Sequence, residues 1–197
     1  MTLRMLDFTE REIKDIAISL LILSLVFAYP EILFRPGFFV FSLLTVGIAF
    51  IGHELSHRFA ARRLGFYSEY VMWKEGLLMA LLLAVITNGA FIFAAPGAVV
   101  FSGYWVFRRP EIDDIGKIGI AGVVFNTIML YFFALSYFLT GIPLLSYAGQ
   151  INGWFAIFNL FPFGPLDGRK VMQWNPKVWF LVFVLAAAGF GVLIFGG

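Results

Sequence analysis

His53, Glu54 and His57 are the residues through which this chain can do chemistry, and they use its whole supply of histidine, since only two occur among 197 residues. On a helix, positions four apart project about 40° from one another, so both imidazoles reach one ion from the same face. Glu54 follows His53 directly and is better placed to hold a water beside the ion than to ligate it. The H-E-x-x-H spacing is that of metal-assisted peptide hydrolysis: the ion brings the pKa of the water to about 7, and the glutamate takes the proton. Chance, or a pair of buried structural histidines, is the ordinary explanation of so short a pattern. Against it stands Glu54, the one acid deep in an apolar run, where a charged side chain costs about 2.5 to 3.5 kcal/mol on insertion scales.

Two imidazoles leave a tetrahedron incomplete, and a catalytic site needs a third protein ligand and one open position. Carboxylates at comparable depth are scarce. Asp167 stands at the end of an apolar run in "FNLFPFGPLDGRK", beside Arg169 and Lys170. Pro162, Gly164 and Pro165 interrupt any helix there, so the backbone can turn the carboxylate inward toward a protein-lined cavity. The competing role for Asp167 is that of a turn cap at the membrane surface.

The elements that must position these groups follow from composition. Hydrophobic residues make up 61% of the chain and charged residues 13%, against about 25% charged in a soluble domain. This predicts an all-α polytopic membrane protein, with apolar segments at 16–34, 37–61, 76–107, 118–140, 142–166 and 178–197. Basic residues cluster at Arg58, Arg62, Arg63 and Lys74, and again at Arg108, Arg109 and Lys117. Six single crossings would place those two clusters on opposite faces, against the positive-inside rule. Five crossings plus a re-entrant hairpin or helix-plus-strand unit over 76–107 remove the conflict, with the N-terminus inside. The turn at "TNGA" and the strand-like "GAVVFSGYW" favour that arrangement, and a plain six-helix bundle is the alternative. Tyr104 and Trp105 have the character of interface aromatics.

Cysteine is absent, so neither a disulfide framework nor a thiolate nucleophile exists. The excess of +2 lies in loops flanking the membrane segments and implies no nucleic-acid partner. The mixed-charge opening predicts no removable signal peptide. Diiron membrane hydroxylases are excluded by the histidine count. A metal transporter should spread its ligands along a path, whereas here they gather near one face.

The residues resemble the site-2 proteases, a family of intramembrane zinc metalloproteases. Its motifs H-E-x-x-H and N-x-x-P-x-x-x-L-D-G read here as "HELSH" and "NLFPFGPLDG", both complete. The resemblance implies that His53, His57 and Asp167 ligate one zinc ion, that Glu54 is the catalytic base and that Asn159 helps hold the substrate backbone. A further family motif, G-P-x-x-N, is similar to "GVVFN" at Gly122 to Asn126, with Val123 in place of proline. The resemblance also implies regulated proteolysis of a transmembrane segment of a partner protein in the cell membrane, with the active site toward the cytoplasmic face. The Gly97 to Trp105 stretch is a candidate edge strand for the same substrate. The chain is read as a single domain over 1–197, with a core of about 37–170 and peripheral helices at 16–34 and 178–197. A catalytically silent scaffold that binds membrane helices is the rival class, and it would have no need of Glu54.

Overall fold

A helix stops where its backbone finds another partner, and the chain marks those places clearly. The computed structural model describes residues 8–102 and 109–196. Helix α1 (Glu10–Ala28) begins where Thr9 accepts a hydrogen bond from the Glu12 amide at 3.1 Å, six residues before the predicted apolar run. Helix α2 (Phe38–Arg63) carries the histidine pair, and strand β1 (Tyr67–Met72) follows it. Helix α3 (Lys74–Ile86) and strand β2 (Gly97–Ser102) come next. Helix α4 (Ile112–Thr140) opens on a reciprocal cap between Glu111 and Asp114. It closes at Gly141, whose left-handed φ of 67° lets its amide bond back to Tyr137. Helices α5 (Pro143–Asn159), α6 (Asp167–Trp174) and α7 (Pro176–Phe195) complete the described chain.

Three of the described helices, α2, α4 and α7, are long and apolar enough to cross a bilayer. The protein is mostly helical and multi-pass. Its surfaces are arranged for lipid. Leu44 on α2, Phe132, Leu135 and Leu139 on α4, and Phe180 and Leu181 on α7 all point outward and are exposed. The interior instead collects hydroxyls and amides, including Ser19, Ser24, Ser42, Asn126, Thr127 and Asn152. Each finds a partner there, for example Ser42 Oγ on the Ser24 carbonyl at 2.9 Å, because an unpaired polar group has no water to turn to at that depth.

Residues 73–96 make an excursion and come back. β1 and β2 pair antiparallel with Met72 opposite Gly97, so the segment returns to the point from which it left. Its outward limb is α3, 13 residues and therefore about 20 Å long, well short of the roughly 30 Å hydrocarbon core. The predicted turn at "TNGA" is present: α3 ends at Ile86, and Asn88 and Gly89 both take positive φ. The predicted strand is present as β2, while Tyr104 and Trp105 lie outside the described residues. Strand β1 was not anticipated within the polar connection 62–75.

The outer edge of β1 is closed by α1. Glu12 accepts the Tyr70 amide at 2.8 Å and Asp15 accepts the Met72 amide at 3.2 Å. Glu12 also pairs with Arg58 of α2, both fully buried, so one carboxylate ties three elements together. Apolar clusters fill the space between the elements. Leu23, Val46, Phe50, Tyr70 and Phe155 form the larger, and Val123, Ala156, Leu160 and Ala186 form another between α4, α5 and α7.

Candidate metal centre

Helix α2 is continuous through 53–57 and presents both imidazoles to the centre of the bundle, with ring centroids 4.5 Å apart. Asp167 comes from 110 residues further along. Helix α5 ends at Asn159, the turn through Pro162, Gly164 and Pro165 reverses the chain, and Asp167 opens α6 facing the histidines. Its approach depends on Gly168, where a Cβ would run into the Leu160 carbonyl. The surface-cap role for Asp167 does not match this position, since the residue is buried and its Oδ2 faces both imidazoles.

The donor atoms form a compact triangle. His53 Nε2 and His57 Nε2 lie 2.9 Å apart, and Asp167 Oδ2 is 3.2 Å from the first and 2.9 Å from the second. Ligands about 2.0 to 2.1 Å from a tetrahedral ion stand about 3.3 Å apart, so the triangle is within about half an ångström of that shape. The protons fit as well. Asn126 donates from Nδ2 to the Ala49 carbonyl at 2.9 Å and to Asn152 Oδ1 at 3.1 Å. Both its hydrogens are thereby committed, so its Oδ1 is what faces His53 Nδ1 at 2.6 Å, and the imidazole must donate. His57 Nδ1 likewise donates to the Ile118 carbonyl at 2.7 Å. With both Nδ1 atoms committed as donors, Nε2 is the atom each ring has left to face the Asp167 oxygen, the ring nitrogen and carboxylate set that a bound cation takes as ligands. The residues present therefore fit a divalent ion of the zinc type.

Glu54 lies on the wall of a cavity of about 20 Å³ beside this triangle, room for about one water. Its Oε2 is buried and has no hydrogen-bond partner among the described residues. Glu12 also has a bare Oε2, but its other oxygen holds Arg58 and the Tyr70 amide, whereas Glu54 has no ion pair among the described residues. Asn159, expected as a substrate contact, lines the same cavity as the last residue of α5, with one amide hydrogen spent on the Phe155 carbonyl at 3.0 Å. Strand β2 lines it too, through Gly97, Ala98 and Val99.

Lys170 was not singled out from the sequence, yet its ammonium sits 2.9 Å from Asp167 Oδ1. Burial works against that charge, but the Asp167 carboxylate, with Glu54 beyond it, raises the lysine pKa above its ordinary value. Lys170 thus occupies one carboxylate oxygen of Asp167 and leaves the other for an ion. Asn152 was also missed. Its one signal was an amide in the middle of an apolar helix, and its Nδ2 is held by the Ala148 carbonyl at 2.9 Å.

A stripe of small residues on α4 makes the whole assembly possible. A Cβ at Gly116 would overlap Trp174, one at Gly119 would come within 3.2 Å of Lys170 Cβ, and one at Gly122 would sit 2.5 Å from His57 Nε2 and 2.8 Å from His53 Nδ1. The first two glycines let α6 lie against α4, and the third admits the imidazoles. The valine that replaces the family's proline leaves α4 unbroken from Ile112 to Thr140, and its side chain is buried in the α4–α5–α7 cluster. Gly52 likewise admits the ring of Phe125.

No protein-family model and no solved structure matches the chain. Among known proteins, the one described as "Putative zinc metalloprotease MJ0611" from Methanocaldococcus jannaschii is 40% identical over 180 residues, which cover 89% of this chain and 90% of that one. Identity at that level across nearly the full length of both, on a sequence in which "HELSH" and "NLFPFGPLDG" are complete, shows that the chain belongs to the site-2 protease family of intramembrane zinc metalloproteases.

Proposed function

We propose that this chain is an intramembrane zinc endopeptidase that cuts a transmembrane segment of a partner membrane protein. The observation that carries the reading is the triangle of His53, His57 and Asp167 donors, with both imidazoles anchored through Nδ1. In this reading the three residues hold one zinc ion, which when bound supplies a Lewis acid that lowers the pKa of a water toward neutrality. Glu54 takes the water's proton and returns it to the leaving amine, a task for which an unpaired buried oxygen beside a one-water cavity is suited. The Lys170 ammonium keeps Asp167 on a single oxygen and offsets the charge of Glu54.

A helical substrate keeps its carbonyls bonded and shielded, so the segment to be cut must unwind. Asn159 and the open edge of β2 are the groups that can hold the resulting extended chain, the amide by donating and accepting, the strand by pairing. The Arg62 and Arg63 pair lies five or six residues beyond His57, about 8 to 9 Å along the helix, which supports a centre a short way below the cytoplasmic surface. The excursion of residues 73–96 serves as the re-entrant unit, with five crossings around it in a single domain and the N-terminus inside.

The test uses purified protein in detergent, with metal content measured beside cleavage of a transmembrane peptide. Glu54→Gln should retain one zinc per chain and lose cleavage, and Asp167→Ala should lose both. Cleavage persisting in the glutamine variant would remove Glu54 from the role of base.

A further inference from the structure

A second cavity lies at the end of the bundle away from the metal centre. Helix α1 stops there, α2 and α5 start there, α7 nears its end there, and the excursion of residues 73–96 turns there at Asn88 and Gly89. Gly89 seats that turn against α1, since a Cβ on it would come within 2.6 Å of the Tyr29 carbonyl. The enclosed space is about 410 Å³ and is walled by rings, chiefly Phe27, Phe38, Tyr147, Trp154 and Phe190, with Glu31 and Gln150 beside them. Phe38 stands 15 residues before His53 on α2, about 22 Å along the helix, so the proposed peptide hydrolysis makes no use of this space.

The polar groups of the wall are sorted by sign. The Tyr147 hydroxyl donates to the Phe27 carbonyl at 2.5 Å, and the Trp154 indole donates to the Ile92 carbonyl at 2.8 Å, so both donors are spent on the protein. Gln150 turns its amide nitrogen to Ser146 Oγ at 3.2 Å, which leaves its carbonyl oxygen. The Tyr29 hydroxyl, also on the lining, can accept as well as donate. Glu31 has no ion pair among the described residues, and Arg35, one turn on, is not part of the lining. Phe38 and Tyr147 meet at an interplanar angle of 61°, a corner rather than a stack, so their faces do not cover one another. What the cavity offers is therefore aromatic faces, oxygen acceptors and one carboxylate, all of them attractive to positive charge.

We infer that this cavity is a binding site for a quaternary ammonium group, held by cation–π attraction to the rings and by the Glu31 carboxylate. The inference stands apart from the peptidase reading. A cation whose charge lies beneath methyl groups needs no hydrogen bond from each wall, and ring faces replace its weak hydration. A primary ammonium brings three donors that each call for an acceptor, and a metal ion calls for several oxygens where one carboxylate stands. An anion is excluded by sign, since no lysine or arginine lines the cavity among the described residues. The volume takes a trimethylammonium head together with the start of the chain that carries it. Glu31 is exposed to water, and Leu33 and Phe34 next to it are exposed apolar groups. The rim thus faces both water and the lipid boundary, and the same head group can arrive on a soluble molecule or on a phospholipid.

The test titrates two probes into the purified protein in a maltoside detergent and follows binding by calorimetry. One is choline, compared with its neutral carbon isostere, in which a tert-butyl group replaces trimethylammonium. The other is a short-chain phosphatidylcholine, compared with phosphatidylglycerol of the same chains. The ammonium member of a pair should bind at least about 10-fold more tightly than its partner. Binding of choline itself assigns a soluble ligand, and binding of phosphatidylcholine alone assigns a lipid head group. Glu31→Gln keeps the size of an exposed side chain, and Phe38→Leu removes one ring while keeping an apolar wall. Each should weaken the ammonium probe by about 5-fold or more. Failure of both ammonium probes to bind, equal binding of their uncharged or anionic partners, or an unchanged constant in either variant would overturn the inference.

Discussion

Replacing Gly122 by alanine sets a single methyl group against both imidazoles. The added carbon would lie 2.5 Å from His57 Nε2 and 2.8 Å from His53 Nδ1, about 1 Å inside ordinary contact. The rings cannot swing aside freely, because His57 is held to the Ile118 carbonyl at 2.7 Å and His53 to Asn126 at 2.6 Å. Metal–ligand bonds tolerate only about 0.2 Å, so a shift of this size removes at least one ligand. The fold responds differently. Alanine gains about 1 kcal/mol of helix propensity over glycine, which offsets part of an overpacking cost of about 1 to 3 kcal/mol. The expected result is a protein whose thermal unfolding, followed by circular dichroism in detergent, moves little while its zinc affinity, measured by competition with a chromophoric chelator, falls at least about 100-fold. That fall corresponds to about 2.7 kcal/mol. Gly191→Ala on α7 is the control, since nothing stands within 4 Å of its added carbon. Zinc affinity at the wild-type level in Gly122→Ala, or an equal loss in Gly191→Ala, would refute the reasoning.

Other expectations follow from the neighbouring contacts. Asn126→Leu removes the acceptor that fixes His53, and zinc affinity measured by the same competition should drop about 10- to 100-fold; an unchanged constant would separate the amide from the metal. Lys170→Met frees Asp167 Oδ1 to join its twin on the ion, so the cobalt-substituted variant should show the weaker visible bands of a five-coordinate centre, and a wild-type spectrum would discount the lysine's positioning role. Arg58→Met leaves Glu12 buried without its cation and should cost about 3 to 5 kcal/mol, read as a lowered unfolding midpoint; a midpoint within a degree of wild type would show that the Glu12 joint does not hold α1.

Much of the centre was legible because its first parts are local. Two histidines four apart fall on one face of any helix, and a glutamate in an apolar run is costly enough to demand a role. The proline and glycine turn before Asp167 showed that the chain could reverse there, and "TNGA" marked the end of α3. The strand β1 was harder to see. Six residues carrying Glu69 between two apolar helices look like an ordinary connection until β2, 25 residues later, supplies its partner.

The sequence by itself determined that the chain enters a membrane, that a metal-assisted hydrolytic motif lies on one of its helices and that a carboxylate stands where it can join it. Composition and short-range spacing suffice for those conclusions. Only the tertiary structure decided which faces turn inward, since helices that are apolar all round carry no periodic mark, and lipid and protein interior ask for the same side chains. It alone joined Asn152 to Asn126 to His53, which makes the Nδ1 of that imidazole a donor through two amides on other helices. It alone stacked Gly116, Gly119 and Gly122 against Trp174, Lys170 and the imidazoles. Such contacts link residues tens of positions apart, and nothing in the spacing along a chain records which distant surfaces will be close enough to need a glycine or an amide between them.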